Sequence, residues 1–555
     1  MLPGVTQKIH NIKRLHQILQ VLIRYGFGYI VDRLNVKTRF IKFKLFKKPE
    51  VIKEPLPVRV RKVLEELGPT FIKLGQILST RPDLIPLEFC KEFEKLQDKA
   101  PAIEYEKVKA QIENELKQPI NKIFSNFSPQ PVAAASLSQV HLAELKTGKK
   151  VVVKVQRPNI RKVITTDLEI LYGLAKLVEK YIKESRIYNP VGIVEEFKRT
   201  ILKEIDFNIE ANNIERFRRN FKDDDTVYVP QVFRDLSTAK ILTIERIEGI
   251  KVSDIERIEK SGLDRKQIAI NGANAVLKQI FIHRFFHADP HPGNIFVLDN
   301  NRIAFVDYGM VGRLDEETKL QLAGILTAIV EQDVSGIVDS LIAMGVVEEL
   351  DVKRLSLDLE ELMDNYYGIP LKELKMGQFL MDIINVILQN KIKIPPSLFL
   401  LSKALITVEG VGKKLDPEFN VALYIKPFVE KLVREKYSLK RIVKELKKFT
   451  KELYLFTSSL PKDLNLIFNK IKKGNLKVEF EHKGLENFIL QMDRVSNRIA
   501  FSVVIAALII GSSIIMQTNR GPLFLGFPVL GIFGFLIAGI LGLWLVIAIL
   551  RSGRL

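Results

Sequence analysis

His287-Ala-Asp289-Pro-His-Pro-Gly-Asn294 is followed, after the short apolar run Arg302-Ile-Ala-Phe-Val306, by Asp307-Tyr308-Gly309. An Asp with an Asn five residues on, then a second Asp in an Asp-aromatic-Gly turn, is how phosphoryl-transfer sites place a nucleophile-orienting carboxylate and two Mg²⁺ ligands. Either half alone is a weak signal, because Asp-x-Gly turns occur in many folds. In this order, joined by a strand-like run, they predict one catalytic cleft. Asp289 would orient or deprotonate the nucleophile, and Asn294 and Asp307 would hold the metal.

Working upstream, Lys154 lies in Val151-Val-Val-Lys-Val155. Strand alternation sends residues 153 and 155 to one face and Lys154 to the other. A lysine projecting from an apolar strand is costly unless it is paired or faces a cleft. With the downstream Asp-Asn-Asp set, Lys154 reads as the lysine that contacts nucleotide phosphates. Its acidic partner should lie on a following helix, where Glu204, Asp206 and Glu210 are the candidates. The turn ahead of this strand would ordinarily be glycine-rich, to let backbone approach phosphate. Here it runs Pro131-Val-Ala-Ala-Ala-Ser-Leu-Ser-Gln-Val140, so Val132, Ala133, Ala134, Ala135, Ser136, Leu137, Ser138, Gln139 and Val140 are the ATP-contact candidates. Alanine disfavours most positive-φ geometries, which predicts a stiffer loop of different shape.

Two further patterns need weighing. His283, His287 and His291 recur at helical spacing, but Pro290 and Pro292 break a helix before the third, which argues against a zinc stripe. In Gly68-Pro-Thr-Phe-Ile-Lys73-Leu-Gly75-Gln76, Lys73 and Gln76 share a helix face and Gly75 permits close backbone contact.

Lys and Arg number 85 against 65 Asp and Glu, a net charge of +20. Residues 1–48 carry +10 of this and residues 431–480 carry +9, so the rest of the chain is near neutral. The first stretch is amphipathic, with Ile9, Ile12, Leu15, Leu19 and Leu22 at helical spacing. The second runs up to an apolar tail. Both suit an anionic membrane surface, and no strand- or duplex-reading motif supports nucleic-acid binding. Ile499–Met516 and Leu523–Leu550 hold no charge and are long enough to cross a bilayer. Arg494 and Arg498 before the first, and Arg551 and Arg554 after the second, predict a hairpin with both ends cytoplasmic. The spacings Ala507–Gly511 and Ala538–Gly542 would let the two helices pack closely. The lone Cys90 rules out an intrachain disulfide and fits a reducing compartment.

The expected order is a basic amphipathic segment (1–50), a helical extension (51–125), a β-rich lobe (126–247), a larger helical lobe (248–430), a basic helical linker (431–498) and a transmembrane hairpin (499–550). Residues 264–287 read as an amphipathic helix leading into the site. The fold class is α+β, with two lobes forming a nucleotide clamp.

Taken together, Lys73-Leu-Gly75-Gln76, the Ala-rich loop, Lys154, Glu204-Ile-Asp206, Glu210, His287-Ala-Asp289 through Asn294, and Asp307-Tyr-Gly309 resemble the UbiB/ADCK family of atypical kinase-like proteins. The resemblance covers about residues 25–430 and extends to the paired C-terminal helices of bacterial members. It implies a protein-kinase-like fold with an N-terminal helical extension. Lys73, Gly75 and Gln76 would belong to that extension and contact Glu204 and Asp206, leaving Glu210 as the partner of Lys154. It further implies ATP and Mg²⁺ as cofactors, isoprenoid or quinone-precursor lipids as ligands, and a place in ubiquinone or other isoprenoid-quinone biosynthesis. Two departures stand out: Ser138 where many members have glycine, and Tyr308 where typical kinases have phenylalanine. The leading expectation is a Mg²⁺-dependent atypical kinase or ATPase anchored in the cytoplasmic (inner) membrane. The alternative is a nucleotide-binding scaffold that organises quinone-biosynthesis enzymes there without phosphoryl transfer.

Overall fold

The computed structural model describes residues 3–34, 54–97, 100–182, 185, 188–331, 333–344, 351–366, 373, 375–390, 392, 395–436, 447, 450, 472, 485–518, 522–524 and 527–551. Residues 35–50 of the predicted basic segment and most of the predicted linker therefore lie outside the described residues. The chain forms two compact units, residues 1–443 and 444–555.

The first unit opens with α1 (Pro3–Arg24), α2 (Gly28–Arg33), α3 (Leu56–Leu67), α4 (Pro69–Ser79) and α5 (Leu87–Phe93). Gly68, at φ +90°, ends α3, and Pro69 opens α4 where its missing N–H costs nothing. These helices bury Ile18, Val21, Leu64, Phe71 and Phe93 in a common core. That corrects the reading of α1 as a free membrane-surface helix: Leu19 is 1% exposed, Leu15 and Leu22 pack against the core, and only Ile12 stays at 49%. The stripe is satisfied by neighbouring helices.

Next come α6 (Tyr105–Leu116), α7 (Ile120–Ile123), β1 (Phe124–Phe127), β2 (Ala133–Ala134), β3 (Ser138–Leu145) and β4 (Lys150–Gln156). The helices α8 (Ile160–Tyr181), α9 (Pro190–Glu204) and α10 (Phe207–Asn220) follow, then β5 (Val227–Tyr228) and β6 (Ile241–Glu245). An antiparallel sheet runs β1-β3-β4-β6, with β2 also on β3. Gly148, at φ +78°, makes the β3–β4 turn. Val151, Val153 and Val155 are fully buried on one face of β4, against Val108 and Ile112 of α6.

The helical lobe contains β7 (Ile250–Lys251), α11 (Ile255–Lys260), α12 (Arg265–Leu277), β8 (Phe285–His287), β9 (Ile295–Val297), β10 (Ile303–Phe305), β11 (Val311–Arg313), α13 (Glu316–Glu331), α14 (Val334–Met344), α15 (Val352–Tyr366), α16 (Met376–Gln389), α17 (Pro396–Leu415) and α18 (Val421–Lys436). The predicted amphipathic helix over 264–287 needs correction. Buried Ile268, Ala269, Asn271, Ala273 and Val276 lie all around α12. It loosens into a π turn at Lys278–Ile282, and Arg284, at φ 53°, turns the chain into β8. A helix inside a large lobe has no polar face to keep.

The second unit holds α19 (Leu485–Thr518) and α20 (Val529–Arg551), joined through β12 (Leu523–Phe524) and β13 (Phe527–Pro528). Val495–Gln517 and Val529–Ile547 are long and apolar enough to cross a membrane by length and composition, and are 6% and 11% buried. Leu523–Pro528 was expected to be helical. It pairs as a short β ladder instead, with Pro528, which has no N–H to donate, as its last residue. The close approach of the two helices is also made elsewhere. A Cβ on Gly534 would strike the Ser512 hydroxyl, and one on Gly531 would sit 2.8 Å from Met516 Cγ. Gly511 and Gly542 face open space, whereas Ala538 is buried.

Candidate nucleotide site

β4 is central, with Lys154 opposite Val140 of β3 on one side and Leu242 of β6 on the other. Because its even-numbered neighbours face away from the valine core, Lys154 projects into the cleft between the lobes. Its Nζ donates to Glu210 Oε2 at 2.8 Å and Oε1 at 3.0 Å, and lies 4.0 Å from Asp307 Oδ1. Of the three acidic candidates, Glu210 on α10 is thus the one that meets the lysine. Burial works against the charge on Lys154, but the Glu210 and Asp307 carboxylates prevail and hold its pKa above the ordinary lysine value. Asp206 has a different place: its carboxylate accepts from the Asn208 backbone N–H at 3.1 Å and caps α10.

The remaining acid-amide set is assembled by two small ladders. The Val306 N–H donates to the Asn294 carbonyl at 3.1 Å, continuing the β9–β10 pairing, so Asn294 lies beside Asp307. The Ala288 N–H donates to the Met310 carbonyl at 3.1 Å, continuing β8–β11, so Asp289 lies beside Gly309. The Lys154 ammonium, helped by the Gly309 N–H at 3.0 Å, holds the Asp307 carboxyl below the usual carboxylate range. Asp289, Asn294 and Asp307 all line the cleft. Among the described residues no three His, Cys, Asp or Glu side chains gather into a cage. Two carboxylates and an amide oxygen open to the cleft suit Mg²⁺, which takes few protein ligands and keeps phosphate and water oxygens for the rest. The three spaced histidines fall on separate features: His283 packs edge-on to Phe221, His287 is buried on β8, and His291 Nδ1 accepts from the Gly293 N–H.

His287 Nδ1 accepts from the Asp289 N–H at 3.2 Å, and burial pulls its pKa down, so the neutral ring shapes the loop that carries Asp289. It leans on Tyr308, with ring centroids 5.7 Å apart, and Tyr308 leans on Phe217 of α10 at 5.0 Å. Asn213 Nδ2 donates to the Tyr308 carbonyl at 3.0 Å. Asn213 and Phe217 tie the helix bearing Glu210 to the Asp307-Tyr308-Gly309 turn, and sequence reasoning missed both. The available signal was spacing, since Asn213 sits three residues beyond Glu210 on the same helix face.

The Ala-rich loop reaches the cleft only in part. Val132, Ala133, Ala135, Leu137, Ser138 and Val140 line it. Ala134, Ser136 and Gln139 do not line it. Alternation turns Gln139 to the opposite face, where its Oε1 accepts from the Ile103 N–H at 2.7 Å. No residue from 132 to 140 has a positive φ, so alanine, and Ser138 in place of glycine, fit without strain. Arg157 anchors the loop, donating from Nε to the Ala135 carbonyl at 2.9 Å and from Nη2 to Pro101 at 2.7 Å.

From the extension, Lys73 Nζ meets Glu204 Oε1 at 2.5 Å, and Lys73 and Gln76 line the cleft. Gln76 donates to the Leu96 carbonyl at 3.3 Å, and a Cβ on Gly75 would overlap Leu96 and Leu64. The cleft measures about 2370 Å³, well beyond the roughly 300–1,000 Å³ of most small-molecule pockets. Where α16 and α17 line it the wall is mixed, with Met381, Phe399, Leu400 and Ile406 among Gln378, Asn385, Ser397, Lys403 and Thr407. Nothing in the sequence marked that wall.

Comparison with known proteins identifies this architecture. Residues 95–341 match the ABC1 atypical kinase-like domain, 359–420 the UbiB helical domain and 483–551 the ABC1/UbiB kinase-like C-terminal domain. The chain is 33% identical over 521 residues to the probable protein kinase UbiB of Aliivibrio fischeri (strain MJ11), spanning 92% of this chain and 95% of that one. The chain belongs to the UbiB family. It is also 35% identical to the probable protein kinase UbiB of Marinobacter nauticus, over 79% of this chain and 81% of that protein. A protein described as uncharacterized, in the hydrogenase 1 5' region of Clostridium pasteurianum, is 35% identical over 98% of this chain and 100% of its own length. The kinase-like match begins at residue 95, so the UbiB-family kinase-like domain holds Lys154, Glu210, Asp289, Asn294 and Asp307, while Lys73, Gly75 and Gln76 stand ahead of it.

Proposed function

We propose that this UbiB-family protein is a Mg²⁺-dependent, ATP-using phosphotransferase or ATPase that supports ubiquinone or other isoprenoid-quinone biosynthesis from the cytoplasmic membrane. The observation that carries the reading is Lys154 held between Glu210 and Asp307, in the cleft that Asp289 and Asn294 also line. Lys154 donates to phosphate oxygens while Glu210 keeps its ammonium aimed, so little reorganisation is needed when charge develops. Asn294 and Asp307 would hold Mg²⁺, which when bound neutralises phosphate charge. Asp289 orients the attacking hydroxyl or water and receives its proton.

The extension bears on substrate choice. Lys73 and Gln76 line the cleft and narrow the access that a folded protein substrate would need. Met381, Phe399, Leu400 and Ile406 in the mixed α16–α17 lining would offer a prenyl chain apolar contacts, consistent with an isoprenoid or quinone-precursor lipid as acceptor or activator. The two apolar C-terminal helices support a site of action at an anionic membrane.

The test is ATP hydrolysis by the full-length protein in detergent, with and without Mg²⁺, anionic lipid and a quinone-precursor mimic. Turnover should require Mg²⁺, rise with lipid and vanish in Asp307→Asn. Undiminished turnover in Asp307→Asn overturns the mechanism. Nucleotide binding without turnover under every condition favours the scaffold.

A further inference from the structure

Two arginines lie over one aromatic ring away from the Lys154 pair, and two more stand close to them in the chain. Phe285 of β8 is fully buried; the guanidinium of Arg216 on α10 lies 4.2 Å from its centroid and that of Arg313 on β11 lies 5.2 Å away. Arg219 is one helical turn beyond Arg216, and Arg284 immediately precedes Phe285 with its backbone at φ 53°, a region non-glycine residues rarely occupy. Counter-charge is scarce. Glu316 binds Arg284 at 2.7 Å but also takes Lys319 at 3.0 Å. Among the described residues Arg216 and Arg313 have no carboxylate at ion-pair distance, and Arg219 shares Glu215 with Arg234. Burial and the like charges of Arg313, Arg219 and Arg284 push the Arg216 pKa down. Arginine does not shed its proton at any working pH, so a bound anion would relieve this repulsion.

We propose that Arg216 and Arg313 over Phe285, with the neighbouring Arg219 and Arg284, form a binding site for a phosphate-class dianion, either free phosphate or the phosphomonoester headgroup of a lipid. A guanidinium held over a ring keeps N–H donors for oxygen, and guanidinium can bind phosphate bidentately. A carboxylate carries one charge; two guanidiniums without ion-pair partners, with Arg219 and Arg284 beside them, match a dianion better. The location gives the site a consequence. α10 carries Glu210, β8 leads into Asp289 and β11 follows Asp307 by a few residues. An anion bridging Arg216 and Arg313 therefore ties the helix that aims Lys154 to the strands that flank the catalytic loop. The site does not depend on the cleft being a nucleotide site.

The experiment is equilibrium dialysis of radiolabelled inorganic phosphate against the full-length protein in detergent, at constant ionic strength, with a non-hydrolysable ATP analogue and Mg²⁺ filling the cleft. In parallel, the thermal midpoint is read in micelles doped with phosphatidic acid or with phosphatidylcholine. Arg219 and Arg313 are exposed, so Arg219→Gln/Arg313→Gln keeps the fold. Saturable phosphate binding that weakens at least about tenfold in this double variant, but not in Arg218→Gln, assigns a soluble phosphate. A rise in midpoint with phosphatidic acid alone, lost in the same double variant, assigns the headgroup. Equal behaviour of wild type and double variant in both arms overturns the proposal, as does the absence of both phosphate binding and a phosphatidic acid effect.

Discussion

Two lysines reach two glutamates six residues apart in sequence, and the two pairs hold different things together. Lys154 comes from the central strand of the upper-lobe sheet and meets Glu210, whose side chain is 8% exposed. Lys73 comes from α4 of the extension and meets Glu204 at the end of α9, where the glutamate is 29% exposed. The first pair is set by a sheet register and by a helix that Asn213 and Phe217 also fasten, so it separates only if the lobe itself comes apart. The second joins an added layer to the lobe through a lysine that is 14% exposed and the more solvated Glu204, supported by Arg81 to Glu196 at 3.3 Å. The burial of the two glutamates, rather than of the lysines, separates fixed chemistry from a cover that releases at lower cost.

The largest expected effect breaks the fixed half. Lys154→Ala should lower ATP turnover by about 10²-fold or more while leaving the far-ultraviolet spectrum intact. A scaffold would show the same loss of nucleotide binding yet tolerate Asp289→Asn in a rescue assay, whereas an enzyme fails with either substitution. Glu210→Gln leaves Lys154 without its full counter-charge; it should cost about 2–3 kcal/mol in chemical unfolding, short of the ~3–5 for a fully buried pair because Lys154 is 23% exposed.

Smaller effects probe the cover. Gly75→Leu forces its side chain into Leu64 and Leu96 and should destabilise the extension by about 1–3 kcal/mol, read as earlier proteolysis ahead of residue 95. Lys73→Ala should cost less than about 1 kcal/mol globally. Cys90, 3% exposed on α5 with its thiol pushed up to about 12 by burial, reports on it. Alkylation at pH 8 should be negligible in wild type and several-fold faster in Lys73→Ala, and equal rates would show that the Lys73 pair does not hold the cover. Because this thiol is raised above its unfolded value near 9, its share of stability is complete below that pH and is lost as pH rises towards about 12.

Much of this architecture was legible. The β3–β4 hairpin, the lysine opposite a valine face and the strand between Asn294 and Asp307 follow from alternation and turn chemistry, which act over a few residues. What failed did so where a distant neighbour decides. α1 reads as amphipathic, but whether its stripe meets lipid or protein depends on α3 and α8. α12 reads as a surface helix, yet the lobe closes around it. The small-residue spacings in the C-terminal helices were real, and the rotation of one helix against the other chose Ser512 with Gly531 and Gly534 instead.

By itself the sequence determined the residue types that phosphoryl transfer needs, their order, and the two uncharged tail segments, because each depends on local composition or short spacing. The tertiary structure supplied the geometry in which Glu210 takes Lys154, Glu204 takes Lys73 and Asp206 caps α10, and only it decided that the Ala-rich loop needs no positive φ and that Arg216 and Arg313 meet over Phe285. Those outcomes depend on how strands and helices far apart in the chain are brought within a few ångströms, and ion pairing, desolvation and steric overlap act only at that range.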